Sequence, residues 1–177
     1  MSTGHSVLQV PVPALEPFVR ARTEHYDASY LAADPDHVHA HITALAPFVD
    51  ALTDDVARRV AAIAAETEPF DFVLAPRIHR FPDGMLHLRP EPDEGFHKLT
   101  ARLAAEFPDF PPYAGAFDPV PHLTLDLLSE EVTEASTLAL LGDLLGDLLP
   151  ATCRAERLDL AWYAPDSSRV LASWPLG

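Results

Sequence analysis

Apolar positions fall into short alternating runs and longer stretches with helical spacing, and their order along the chain occurs twice. Val7 to Val12 reads as a strand, and Pro13-Ala14-Leu15-Glu16 opens a helix running to about Tyr26. The turn Ala33-Asp34-Pro35-Asp36 leads into His37-Val38-His39-Ala40-His41-Ile42-Thr43-Ala44, where polar and apolar residues alternate. Thr53 then predicts an N-cap, with Asp54 and Asp55 in the first turn of a helix through Glu66. Two strands follow, Phe70 to His79 and Met85 to Arg89, joined as a hairpin at Phe81-Pro82-Asp83-Gly84.

The order then restarts. A helix from Asp93 to Glu106 precedes a proline-rich loop, Pro108 to Pro119, a candidate lid, and the strand Pro121-His122-Leu123-Thr124-Leu125. Ser129-Glu130-Glu131 offers an N-cap for a leucine-rich helix ending near Leu149. A closing strand pair, Arg154 to Tyr163 and Arg169 to Trp174, turns at Pro165-Asp166-Ser167-Ser168. His41 and His122 lie 81 residues apart, and the elements after them keep nearly that offset. Such self-similarity predicts two duplicated lobes in an α+β fold. Two pseudo-symmetric antiparallel sheets, each with helices on one side, would bury the helix faces and leave the other sheet faces confronting each other across a central cleft.

Strand geometry puts His37, His39, His41 and Thr43 on one face and Val38, Ala40, Ile42 and Ala44 on the other. Both copies share the spacing His-apolar-Thr-apolar: His41 and Thr43 in one, His122 and Thr124 in the other. An imidazole beside a hydroxyl on each side of a cleft, roughly 6 to 7 Å apart along the strand, suits cleavage of a phosphodiester. One imidazole, neutral, can take a proton from water while the other, protonated, gives one to the departing oxygen. The hydroxyls can donate to non-bridging phosphate oxygens as charge builds there.

Size and charge narrow the setting. With 177 residues the chain has room for one substantial core and is short for two independent domains. No run approaches the roughly 18 to 20 apolar residues of a membrane span. MSTGHSVLQVPVP lacks the basic-then-apolar pattern of a signal peptide, so a cytoplasmic protein is expected. The single Cys153, read as a buried inert thiol, fits a reducing compartment. A net charge of -15, from 12 basic against 27 acidic residues, argues against a long duplex nucleic acid as partner, because such binding neutralises phosphates with Lys and Arg.

These motifs resemble the 2H phosphoesterases, also called the 2'-5' RNA ligase or cyclic phosphodiesterase superfamily, named for two His-x-Thr/Ser motifs. The likeness extends to Thr43-Ala44-Leu45-Ala46-Pro47-Phe48 after the first motif and to the hairpin Phe81 to Pro90. It continues through the approach Phe107-Pro108 to Leu125 and the closing pair Leu158 to Trp174, nearly the whole chain. The resemblance implies a bilobal α+β fold with a water-filled cleft, and hydrolysis of a 2',3'-cyclic phosphate or related small phosphodiester with no cofactor or metal. It makes His41 and His122 the acid/base pair, His41 as acid and His122 as base in ring opening, and gives the phosphate to Thr43 and Thr124. Many relatives acting on RNA carry basic residues at the cleft, whereas this chain offers only scattered candidates such as Arg77, Arg80 and Arg89. A mononucleotide, a short oligonucleotide or a small metabolic cyclic phosphate therefore fits better than RNA ends, and a monomer is expected.

His39, Arg80 and Tyr113 are candidate substrate contacts, and His39 could equally be a solvated strand histidine that tunes His41. His37 is placed at the rim, His79 and His87 in the central hairpin, facing cleft or surface, and His5, His25 and His97 on the surface. Phe48, Tyr113, Phe117 and Trp162 could stack on a base, though core packing is the commoner fate. The Leu138 to Leu149 stripe reads as core or interface. Three other functions stay open: a phosphate-binding module without turnover, a metal hydrolase using His37, His39 and His41, and 2'-5' ligation, formally the reverse of ring opening. A single flat strand supplies a poor metal site, which weakens the second.

Overall fold

Strand pairing in the computed structural model, which describes residues 4–177, ties the two halves of the chain together. The first three residues of the N-terminal stretch read above for a signal peptide lie outside the described residues. The described elements are, in order, β1 (His5–Pro11), α1 (Glu16–Asp27), β2 (His41–Leu45), α2 (Asp54–Ala65), β3 (Phe70–Leu74), β4 (His79–Arg80) and β5 (Met85–Leu88). They continue with β6 (Pro90–Glu91), α3 (Glu94–Glu106), β7 (Leu123–Leu127), α4 (Glu134–Leu145), β8 (Ala151–Ala155), β9 (Arg157–Tyr163) and β10 (Arg169–Pro175). The class is α+β with antiparallel sheets, as the residue pattern predicts.

The strands divide into three ladders, ordered β10-β9-β1-β2, β4-β5-β7 and β6-β3-β8. Each hairpin joins the other repeat's motif strand: β9 and β10 reach β2 through β1, while β4 reaches β7 through β5. Both motif strands, β2 and β7, are sheet edges, and they pack against each other. Beneath them Leu8, Val10, Phe18, Ile42, Phe96, Leu99, Leu103, Leu123 and Leu160 form one core drawing on both repeats. Burial of each large side chain contributes about 1.5–3 kcal/mol.

Several boundaries differ from the sequence expectation. The predicted strand from Phe70 to His79 stops at Leu74, before Pro76, which has no N–H to give a ladder; β3 pairs with β6 and β8 instead of with β5. The predicted Arg154 to Tyr163 strand divides at Glu156 into β8 and β9, which belong to different sheets. Thr133, in a capping box with Ser136, starts α4 where Ser129 was expected, and the helix ends at Leu145 before Gly146, whose φ is 61°. Ser129 Oγ accepts from the amides of Glu131 and Val132 in the preceding turn.

The histidine strand is shorter than its alternation suggests. Pro11 pairs with His41 and the Val12 amide donates to Ala40 O, after which the chain of β1 turns away through Pro13–Leu15. Residues 37–40 therefore have no ladder partner and are extended without being a strand. His37 and His39, expected at the rim or in solvent, are only 3% exposed. Tyr163 packs against His37, and the Ala32 amide and Glu16 engage the His39 ring.

Candidate active site

His41 and Thr43 share one face of β2, half-buried, and His122 and Thr124 share one face at the start of β7. Both histidines are fixed in the same way. His41 Nδ1 donates to His39 O at 2.7 Å and His122 Nδ1 donates to Val120 O at 2.6 Å, each to the carbonyl two residues earlier. A carbonyl only accepts, so the proton of the neutral ring is held on Nδ1 and Nε2 is left as the reactive nitrogen. His41 Nδ1 also lies 3.2 Å from the Tyr163 hydroxyl, which donates to Gln9 Oε1 at 2.7 Å. Burial pushes the Tyr163 hydroxyl up, so it stays protonated.

Behind His41 stands a buried histidine row. His39 Nδ1 donates to Glu16 Oε1 at 2.8 Å and its Nε2 accepts from the Ala32 amide at 3.2 Å. Glu16 Oε2 takes the Ala40 amide at 2.8 Å. Burial raises the Glu16 carboxyl, but the hydrogen bonds from His39 and Ala40 outweigh it and the net shift is downward. His37, with neither ring nitrogen hydrogen-bonded, packs against His39 and Tyr163 and is pushed down to about 4, first by burial and then by the charge of His39.

The two motif histidines feel each other. Burial, followed by the charges of His37, His122 and His39, pushes His41 down to about 4 against the backbone hydrogen bond that raises it. His122 is lowered by burial and by Arg89, opposed by the Val120 carbonyl and Asp83. Its ring stands edge-on to Phe81 and to His87, at centroid distances of 4.9 and 5.3 Å. His87, fully buried opposite Thr124, repeats the same carbonyl hold through Met85 O at 3.2 Å and receives Arg89 Nε at 3.3 Å.

His41 and Thr124 open onto one cavity of about 460 Å³, walled also by Tyr163, Tyr26 and Arg22. Thr43 lies in a narrow crevice with Val120 and Pro121, the residues just before His122. Each threonine thus faces the other repeat's histidine strand, the cross-pairing that two facing copies produce. Tyr113 lines the crevice, not the larger cavity, and stacks on Phe117 at 4.6 Å. Arg80 is exposed on β4 and lines neither space; Arg89 is the arginine that reaches the histidines. His39 edges the cavity with both ring nitrogens occupied, which gives it a positioning role in place of a free contact.

Among the other candidates, Phe48 and Trp162 are buried, Phe117 is exposed, and His5, His25 and His97 are exposed. Cys153 is half-buried, and burial pushes its thiol up. Glu16, Tyr163 and the Arg22–Asp126 pair escaped the sequence reading, since each acts across pairings that no spacing reveals, while His87, which the hairpin could have turned either way, lies buried beside His122. Only the offset of two between His87 and Arg89 could have marked that pair. Among the described residues no group of three or more His, Cys, Asp or Glu is arranged to hold a metal ion, and no helix is long and apolar enough to cross a membrane.

A family model described as the 2'-5' RNA ligase superfamily matches residues 10–167. Among solved structures, Escherichia coli LigT complexed with 3'-AMP is similar at 17% identity and a TM-score of 0.59, over 97% of each chain. TT0787 of Thermus thermophilus is similar at 16% identity and a TM-score of 0.60, again over 97% of each chain. A crystal structure described as a phosphoesterase follows at 14% identity, a TM-score of 0.55 and 97% of each chain. Among curated protein sequences none matches.

Proposed function

The chain belongs to the 2'-5' RNA ligase superfamily, among the 2H phosphoesterases, and on that premise we propose that it hydrolyses 2',3'-cyclic phosphates or small nucleotide phosphodiesters by two-histidine acid/base catalysis. One observation carries the reading: two histidines from equivalent places in the repeat each tie Nδ1 to a carbonyl two residues back, leaving two Nε2 atoms for proton transfer. Thr43 and Thr124 supply hydroxyls for the phosphate oxygens. In ring opening His122 takes the proton of the attacking water and His41 gives one to the departing ribose oxygen. The 3'-AMP in the LigT crystal is the kind of product such a reaction releases, which favours hydrolysis of a small nucleotide.

The test is incubation of the purified protein, with chelator present, with the four nucleoside 2',3'-cyclic phosphates, resolving 2'- from 3'-monophosphate by phosphorus NMR. A single regioisomer formed in the presence of chelator is expected. Its identity assigns acid and base, whereas tight ligand binding without any product would identify a binding module.

The pH profile has a direction of its own. His41 sits at about 4 and His122 below its ordinary 6.5 in the free protein, so kcat/KM, which reports free-enzyme groups, should peak below pH 6.5. A bound phosphate monoanion favours the charged imidazole and raises both values, so the kcat optimum moves to higher pH. A kcat/KM that climbs steadily to pH 8 would assign the proton transfers to other groups.

A further inference from the structure

The wall of the 460 Å³ cavity divides by chemistry. Beside His41 and Thr124 it carries an apolar and aromatic set, Val19, Tyr26, Tyr30, Leu125 and Leu127. Of formally charged residues the lining holds one arginine, Arg22, against two aspartates, Asp27 and Asp126. Arg22 is already spoken for. Its Nε lies 2.6 Å from Asp126 Oδ2, with side chains 15% and 3% exposed, and Tyr26 Oη donates to Asp126 Oδ1 at 2.5 Å. The Arg22 guanidinium also lies over the Tyr26 ring, 5.2 Å from its centroid. The chain as a whole carries a net charge of -15.

We propose that the cavity selects the organic half of the substrate: it takes an uncharged nucleoside, or a comparably flat apolar alcohol, bearing no phosphate besides the one that reacts. This rests on the phosphodiesterase reading and narrows it. Tyrosine and leucine walls hold a base by its faces, without sequence readout. A second phosphate entering the same space meets one cation, Arg22, whose charge is already balanced by Asp126. That leaves the Asp27 carboxylate as the unbalanced charge of the lining, and like charges several ångströms apart cost affinity. Nucleoside cyclic phosphates with a bare 5' hydroxyl are therefore substrates, and their 5'-phosphorylated counterparts and oligonucleotides are disfavoured.

Calorimetric titration of the whole protein with adenosine 3'-monophosphate, adenosine 3',5'-bisphosphate and inorganic phosphate decides the matter. The monophosphate is expected to bind about tenfold tighter than the bisphosphate, and inorganic phosphate more weakly than the monophosphate. Asp126→Asn keeps one acceptor oxygen, for Tyr26, and turns an uncharged amide toward Arg22, which releases the arginine's charge and should narrow the gap. Should that buried change prevent folding, Asp27→Asn, at an exposed position where asparagine also caps, should narrow it as well. A bisphosphate that binds as tightly as the monophosphate to the unaltered protein, no binding of either, or a gap unchanged in the folded variants would overturn the proposal. Turnover of adenosine 2',3'-cyclic phosphate in the same preparation tests the hydrolytic reading separately. Monophosphate preference without turnover refutes hydrolysis and leaves the cavity assignment standing.

Discussion

Alanine at either His41 or His122 is expected to lower turnover of nucleoside 2',3'-cyclic phosphates by about 1,000-fold, within the range for removing one positioned acid or base. The loss should appear in kcat with little change in KM, because the imidazoles act on protons in flight more than on the bound phosphate. Changing both together should cost little beyond the worse single change, since a relay with one end missing has already failed. Both rings are partly exposed at the cleft, so the folded state should survive, and matching melting curves would show it. Turnover within tenfold of the unaltered protein in either variant would remove that histidine from the chemistry.

The second large effect falls on a residue that touches no substrate. Glu16→Ala should destabilise the fold by about 2–5 kcal/mol, because it strips the buried His39 Nδ1–H and the Ala40 amide of their acceptor at once. It should also slow turnover by about tenfold, since the His39 carbonyl that holds the His41 proton sits between those two lost bonds. The pH dependence separates this from simple loss of packing. Glu16 is lowered from 4.5 in the folded state, so its carboxylate contributes stability that is present above about 4.5 and lost as pH falls further. The stability gap between the unaltered protein and the variant, measured by urea unfolding, should therefore shrink between pH 6 and pH 3. A gap of constant size would show that the carboxylate's charge plays no part.

The sequence carried the site's nucleus and missed its support, for a physical reason. His41, Thr43, His122 and Thr124 were legible because a motif repeated at fixed offset in a fixed strand parity is a local signal. The helices α1 to α3 were legible from spacing, and the cap at Thr53 from its residue type, since its hydroxyl accepts the Val56 amide. Glu16 and Tyr163 were not legible. Glu16 reaches His39 across 23 residues and Tyr163 reaches His41 across 122, and both pairings exist only after β1 has sorted its neighbours. The rim placement of His37 and the solvated alternative for His39 fail for a related reason: alternation assigned both a face, but Tyr163, the Ala32 amide and Glu16 cover it. The break after Leu74 and the division at Glu156 follow from which sheet each segment joins, which alternation does not encode.

The exchange of hairpins between repeats sets the order in which the chain can fold as it is made. β1 pairs along one side with β2 but along the other with β9, whose residues 157–163 are synthesised about 150 positions later. Until then β1 waits with an open edge and the apolar face carrying Leu8 and Val10 incompletely covered. Neither duplicated half is a folding unit, so the nascent chain must be kept from pairing with its neighbours until synthesis has reached the closing hairpin.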